Sequence, residues 1–433
     1  MKKPSAGQLD LRWQGVGLRD QRGRRFREIV QSFSEFGTAT KEIETQVSMP
    51  ELSNEPVSVP VFVNEFWTAR QRQASALHEI SYRACFKPQL PRFYIERLTD
   101  PGDVVYDPFM GRGTTLLEAG LMGRVPFGCD VSPLSECLIA PRLDVPSFEE
   151  VEQRLRAIPL DLSVAGPEDL LTFYHPGTLQ EICALKAYLL GRVQEGQLDR
   201  ADQWIRMVAL NRLTGHSPGF FSVYSLPPNQ AVSVKSQRRI NEKRGQVPAQ
   251  RDVKGLILKK SRRLLGGLDQ ASLTALRAIN EQSLLVTRLA HDTPEIPSES
   301  VALVVTSPPF LNVVDYATDN WLRCWFLGVD GSSVPVTTPK KVADWEEAMS
   351  KVFLELYRVL RPGGHVAFEV GEVLKGTVKL ESVVLRCGFR AGLQPGLVMI
   401  NDQAFTKTAN CWGVDNNAKG TNSNRIVVFS KPA

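Results

Sequence analysis

Apolar residues gather in short continuous runs that stop abruptly at polar or turn-forming residues, as strands buried on both faces do. Val104, Val105 and Tyr106 form one such run, closed by Asp107 and Pro108. Val125 to Cys129 form another ending at Asp130, and Val301 to Val305 a third ending at Thr306-Ser-Pro-Pro-Phe. Between them the period lengthens. Thr114 opens a helical pattern with Leu116, Leu117 and Ala119, and Pro91 suits a first helical turn whose buried face is Phe93, Ile95 and Leu98. A further helix is expected around Gln71 to Tyr82. Ser147-Phe-Glu-Glu reads as a capping box, and helices are expected over Leu179 to Val193 and Ala201 to Leu213. After Asp130 no strand is expected until Leu284 to Val286, which leaves a large helical insertion.

The first run, turn and helix carry chemistry. Gly111 and Gly113 allow a sharp turn and close approach of a ligand, and the helix that follows offers unpaired N–H groups and partial positive charge. Such a corner favours an anionic or carboxylate group. Many doubly wound folds also use a glycine turn for structure alone. Asp130, about twenty positions further on, is placed to accept hydrogen bonds from ribose hydroxyls, so the spacing fits a nucleoside. No phosphate-loop Gly-Lys-Ser/Thr is present, and Asp107-Pro-Phe does not open the dinucleotide fingerprint. Phe86 to Pro88 either line this site or serve as a plain helix entry.

Composition narrows the setting. The 433 residues, 42% hydrophobic and 23% charged, suit an ordinary globular enzyme of two or three structural units. No apolar run reaches membrane-spanning length and no signal peptide opens the chain, so a cytoplasmic location, most simply a bacterial cytosol, is expected. Seven scattered cysteines without a Cys-x-x-Cys pair fit reduced thiols, and no metal site is expected. A net charge of +5 is mild, so any polyanion surface must be local. Eleven Lys/Arg against three Asp/Glu between Ala231 and Gln270 form such a cluster, beside Phe220, Phe221 and Tyr224. Arg238, Arg239, Lys243, Arg244, Lys259 and Lys260 are the expected phosphate contacts, a solvated face being the plain alternative. Residues 1–60, with five arginines between Arg19 and Arg27 and a Ser/Glu/Pro-rich stretch from Ser48, read as a basic arm and linker.

The third run ends in Ser307-Pro308-Pro309-Phe310. The prolines stiffen the backbone, Ser307 adds a hydroxyl and Phe310 a flat apolar face. An exocyclic amine fits: its two N–H bonds are accepted by Ser307 Oγ and the Pro308 carbonyl, while its ring stacks on Phe310. Drawing density from those bonds frees the nitrogen lone pair to attack a methyl donor in line, with catalysis coming from orientation and electrostatics.

Asp107-Pro-Phe-Met-Gly-Arg-Gly-Thr-Thr and Thr306-Ser-Pro-Pro-Phe together resemble the S-adenosylmethionine-dependent DNA amino-methyltransferases. The Ser-Pro-Pro-aromatic form is similar to the N4-cytosine enzymes. Asn312, Asp315 and Tyr316, the segment from Leu360 to Gly371 and a closing strand over Arg425 to Phe429 support the likeness. The resemblance implies an α/β, Rossmann-like class I fold with a mostly parallel seven-stranded sheet. It implies that Phe109, Gly111 and Gly113 surround the methionine part of the cofactor, with Asp130 on the ribose. Asp107, Thr114, Thr115, Ser132 and Asp292 complete the implied cofactor set, and Ser307 to Phe310 hold the target amine.

The motif order resembles the α-type arrangement. It divides the chain into a catalytic first part at 61–139, an inserted target-recognition region at 140–281 and a catalytic second part at 282–433. Double-stranded DNA is the implied partner; whether a cognate restriction endonuclease accompanies it, and the oligomeric state, are left open. Arg112 stands where the family commonly has a small residue, and its role is open. The Gln403 to Asn417 stretch reads as a hairpin or as a loop facing the base. N6-adenine methylation is the nearest rival, RNA methylation a smaller one, and a non-catalytic DNA-binding regulator a different class. C5-cytosine chemistry is disfavoured because no Pro-Cys dipeptide occurs.

Overall fold

The computed structural model describes residues 15–49, 55–68, 74–82, 85–160, 164, 166–227, 230–309, 316–335, 339, 341–371, 379–402 and 423–433. Phe310, Asn312, Asp315, residues 71–73 of the expected helix and the 403–417 loop lie outside the described residues.

Among the described residues nine strands form one sheet: β1 (Lys41–Val47), β2 (Val57–Asn64), β3 (Val104–Asp107), β4 (Val125–Asp130), β5 (Leu284–Thr287), β6 (Val301–Thr306), β7 (Leu360–Val370), β8 (Gln394–Asp402) and β9 (Ser423–Ser430). Their order is β1-β2-β8-β9-β7-β6-β3-β4-β5. Only β1 and β9 run antiparallel to their neighbours. The chain winds from β3 outward through β4 to β5, then returns to place β6 on the other side of β3 and β7 beyond it. That reversal makes the crevice at the carboxyl ends of β3 and β6 a topological switch point, where open α/β sheets bind ligands.

The sheet is larger than the seven strands expected, and the difference lies in β1 and β2: the described residues 15–49 and 55–64 are not a detached arm and linker. Gln21–Gln31 is a helix capped by Asp20, whose Oδ1 accepts from the Gly23 N–H at 2.8 Å. Arg22 pairs with Asp100 and Asp103, and Asp20 Oδ2 lies 3.1 Å from His365 Nε2 on β7. β2 adds in parallel to β8, and β1 closes the edge with Lys41, Glu42 and Glu44 exposed. Charge on an edge strand discourages pairing with another chain.

Helices cover both faces because the strands between are apolar on both sides. On one face Gln21–Gln31 and Gln89–Leu98 bury Phe26, Phe93 and Tyr94 against Phe62, Val305 and Met399. On the other, Val342–Val359 and Leu380–Arg390 bury Trp345, Phe353 and Val384, with the Phe353 and Phe368 rings 4.8 Å apart.

From residue 147 to 280 the described chain is helical apart from loops. The Ser147 capping box forms with Glu150, and helices span Pro176–Gln194, Arg200–Leu210, Val234–Arg244, Val253–Leu265 and Gln270–Asn280. Their core centres on Trp204, which donates to Ser261 Oγ at 3.0 Å, and it is continuous with Leu116, Leu138 and Ile139 beside the glycine corner. Among the described residues no helix is long and apolar enough to cross a membrane. The expected helix near Gln71 is replaced, where described, by a single 3-10 turn at Ala76–His78.

Candidate active site

Strand β3 ends at Asp107, and Gly111 and Gly113, both with positive φ (47° and 74°), turn the chain into the Thr114–Leu121 helix. A Cβ on Gly113 would overlap Ile139. Gly113→Ala is therefore expected to destabilise the protein by about 1–3 kcal/mol through backbone strain and overpacking. Thermal denaturation checks this, and an unchanged melting temperature would contradict it.

Strand β6 lies directly beside β3, Val105 opposite Leu303 and Tyr106 opposite Val304. Two side chains fasten the strand ends. Thr306 Oγ1 donates to Asp107 Oδ1 at 2.6 Å, and Thr115 Oγ1 donates to the Val305 carbonyl at 3.0 Å. The segment after β6 thereby faces the glycine corner across a cavity of about 260 Å³.

Asp107, Phe109, Gly111, Thr114, Asp130 and Ser132 line this cavity together with Ser307 and Pro309. Eight of the expected site residues thus share one space. Asp130 Oδ2 accepts from the Gly111 N–H and Oδ1 from the Ser132 N–H, each at 2.9 Å. Burial raises the Asp130 pKa against these hydrogen bonds. The more enclosed Asp107 is pushed up to about 7 by burial, although Thr306 and the Phe109 N–H oppose the shift.

Other expected residues lie elsewhere. Gly113 backs onto Ile139, and Thr115 ties a helix to β6 instead of facing a ligand. Pro308 is buried outside the cavity lining. Asp292 is exposed and outside it too, while Leu289, Ala290 and His291 form that wall. The tight turn after β5, with the Asp292 N–H donating to the Leu289 carbonyl at 2.9 Å, presents the apolar side of this segment.

Three contributors were missed. Trp345 lines the wall and donates from Nε1 to the Pro309 carbonyl at 3.0 Å, which fixes the proline loop. Tyr82 comes from the short segment before the Gln89–Leu98 helix and lines the cavity, beside Phe86, which the sequence offers as a lining residue. Glu369 stands behind Ser307. Thr306 is opposite Phe368 in the β6/β7 pairing, so Glu369 comes next to Ser307, and the Ser307 hydroxyl is hydrogen-bonded to its carboxylate. Asn424 Nδ2 donates to Glu369 Oε1 at 2.9 Å. Glu369 is 6% exposed, and burial raises its pKa. The signal was present in sequence as a lone carboxylate in the apolar run Val366 to Val370.

The basic cluster also divides. Arg239, Lys243 and Lys259 are exposed, and Arg244, likewise exposed, lies 3.8 Å over the Tyr224 ring. Arg238 is exposed but pairs with Asp169 at 2.7 Å. Lys260 does not fit a phosphate contact: it is 9% exposed and pairs with Glu79 at 3.0 Å, on the buried side of its helix.

Strand order, the reversed β9 and a nucleoside-type corner facing a proline-stiffened loop define a Rossmann-like methyltransferase fold with two extra edge strands. Residues 27–136, from the first helix through the glycine corner, match the family model described as DNA methylase, of the N6/N4 class.

Three curated relatives align with parts of the chain. Type II methyltransferase M.MjaII of Methanocaldococcus jannaschii is 38% identical over 93 residues, 22% of this chain and 16% of that protein. Type II methyltransferase M.BsoBI of Geobacillus stearothermophilus is 22% identical over 282 residues, 59% of this chain and 53% of that one. A tRNA (guanine(10)-N2)-dimethyltransferase of Methanocaldococcus jannaschii is 27% identical over 128 residues, 26% of this chain and 36% of that protein. The chain therefore spans about half, or less, of the length of the relatives it matches.

Proposed function

We propose that this chain transfers a methyl group from S-adenosylmethionine to an exocyclic amine in duplex DNA, the N4 amine of a flipped cytosine, as the modification half of a restriction-modification pair. One observation carries the reading: the Gly111/Asp130 corner and the Ser307/Pro309 loop face each other across a single cavity. The residues suit the cofactor, since Asp130 stands at the cavity as an acceptor for ribose hydroxyls and Leu289 and Ala290 give an apolar stretch of wall for a purine. Phe109 and Gly111 would lie against its methionine part. When bound, S-adenosylmethionine supplies an electrophilic methyl group on a positively charged sulfur.

The chain's own part is placement. While Glu369 is ionised it can only accept, so the Ser307 hydroxyl donates to it and turns its oxygen lone pairs toward an incoming amine. Trp345 holds the Pro309 carbonyl and so sets the angle of the loop. The amine nitrogen is presented in line with the methyl group, and its proton is lost to solvent once it is methylated. A base in a duplex must leave the stack to reach this cavity, at a cost of a few kcal/mol.

Incubating the full chain with duplex DNA and labelled cofactor, followed by nucleoside analysis, should yield N4-methylcytosine. N6-methyladenine would move the assignment to the adenine enzymes of the same class. Label entering RNA in preference to DNA, as for the tRNA-directed relative, would overturn the substrate.

The exposed cations of the helical region are proposed to contact the DNA backbone. Reversing Arg239, Lys243 and Arg244 to glutamate is expected to weaken DNA binding. It should also flatten the plot of log K against log salt by about 1 for each phosphate that is no longer neutralised. Lys260→Ala should leave that slope unchanged and lower stability instead. Fluorescence anisotropy over a salt series reads both, and an unaltered slope in the triple variant would return the cluster to a solvated face.

A further inference from the structure

Arg112 sits between the two left-handed glycines and has no part in the chemistry described above. Its side chain is 6% exposed, yet it lines the cavity. Nε donates to Thr114 Oγ1 at 3.2 Å, and Nη1 donates to the carbonyls of Ile80 and His78 at 2.9 and 3.4 Å. All three partners are neutral.

A second guanidinium lies against it. Arg142, 1% exposed, donates to the Leu138 carbonyl at 2.7 Å, to the Leu77 carbonyl at 3.3 Å and to the carbonyl of Arg112 itself. Burial and the charge of Arg112 push Arg142 down to about 9. Among the described residues neither arginine forms an ion pair. Glu118, which is buried nearby, is taken by His78 Nε2 at 2.7 Å.

Two buried cations with only neutral partners form a costly arrangement unless a negative charge joins them. Two carboxyls, Asp107 and Asp130, line the cavity at the tips of β3 and β4. Arg112 puts a cation on the turn between them and the Thr114–Leu121 helix, whose first N–H groups also favour an anion. Thr114 accepts from Arg112 and also lines the cavity, so its hydroxyl proton is left to donate.

We propose that Arg112 holds the carboxylate of the cofactor's methionine end, a guanidinium contact made from the turn itself. The proposal rests on the S-adenosylmethionine reading given above. A DNA backbone phosphate is the other anion that could reach a cation here.

The test is calorimetric binding to the full chain, without DNA, of S-adenosylhomocysteine and of its decarboxylated analogue. The wild type should prefer the carboxylated ligand by about 10- to 100-fold, the range of a charge-assisted hydrogen bond. Arg112→Gln should lose that preference while binding the decarboxylated analogue as the wild type does, which also reports an intact pocket. Arg112→Lys should restore part of it.

A wild type that binds both ligands equally overturns the proposal without any variant, as does a variant that keeps the wild-type preference or weakens both ligands alike. An Arg112→Gln protein altered only in DNA affinity would assign the cation to phosphate. If the wild type binds neither ligand, the cofactor reading itself fails.

Discussion

Replacing Ser307 with alanine is expected to lower kcat by about 100- to 1,000-fold, the usual cost of removing one preorganised polar group from a reacting centre. Affinity for S-adenosylhomocysteine should stay unchanged. The hydroxyl stands at the mouth of β6 and shares the cavity with Gly111 and Asp130, but neither Asp130 hydrogen bond involves it. Its removal therefore takes an acceptor from the amine and leaves the cofactor corner intact. Single-turnover methyl transfer and calorimetry separate the two. Equal turnover would remove Ser307 from the reaction, and a parallel loss of ligand affinity would make its role structural.

Glu369→Gln should act in two opposite directions. The carboxylate takes hydrogen bonds from both Ser307 and Asn424, and an amide has one oxygen for two donors. With Asn424 kept on the amide oxygen, the amide NH2 faces Ser307 and donates to its oxygen, so a lone pair needed for the amine is occupied and kcat should fall by about 10- to 100-fold with KM for the cofactor unchanged.

Stability should move the other way. Burial raises the folded-state pKa of Glu369. The stability it contributes is therefore fully present below its unfolded pKa and is lost as pH rises through the folded value. Above that window the wild type holds a desolvated charge and the glutamine variant does not. The melting temperature of the variant should thus exceed that of the wild type increasingly as pH rises from about 4, the unperturbed glutamate range. Denaturation across a pH series checks the sign. A variant that is less stable at every pH would mean that Glu369 is retained for the fold.

Much of the parallel sheet was legible because buried strands announce themselves as apolar runs closed by turn residues: Val104 to Tyr106, Val125 to Cys129, Leu284 to Val286 and Val301 to Val305 all form strands. The helices after Ser147, around Leu179 to Val193 and from Ala201 were legible from a capping box and apolar spacing, whereas Val234–Arg244, Val253–Leu265 and Gln270–Asn280 were hidden in and just after a basic run that reads equally as a solvated surface. The amino-terminal segment was not. Lys41 to Val47 is an exposed edge strand whose charged alternation is also what a solvated linker looks like, and the Arg19 to Arg27 cluster hid an amphipathic helix packed through Phe26 and Val30.

At the site, residues on the glycine turn and at the carboxyl ends of strands could be placed, since topology alone brings those points together. Facing was harder to read. Thr114 and Thr115 are adjacent, yet one lines the cavity and the other ties a helix to β6. Lys259 and Lys260 are adjacent, yet one is exposed and the other meets Glu79. Trp345 and Glu369 come from elements whose approach to the loop is set by tertiary packing, which no local period records.

The proposed reaction depends on one ligand touching both loops at once. A crystal structure with S-adenosylhomocysteine most directly tests it: the ribose hydroxyls should rest on Asp130, the purine against Leu289 to His291, and the sulfur should face Ser307 across the cavity. Density for the ligand outside this cavity, or in it with the sulfur turned away from Ser307, would contradict the reaction.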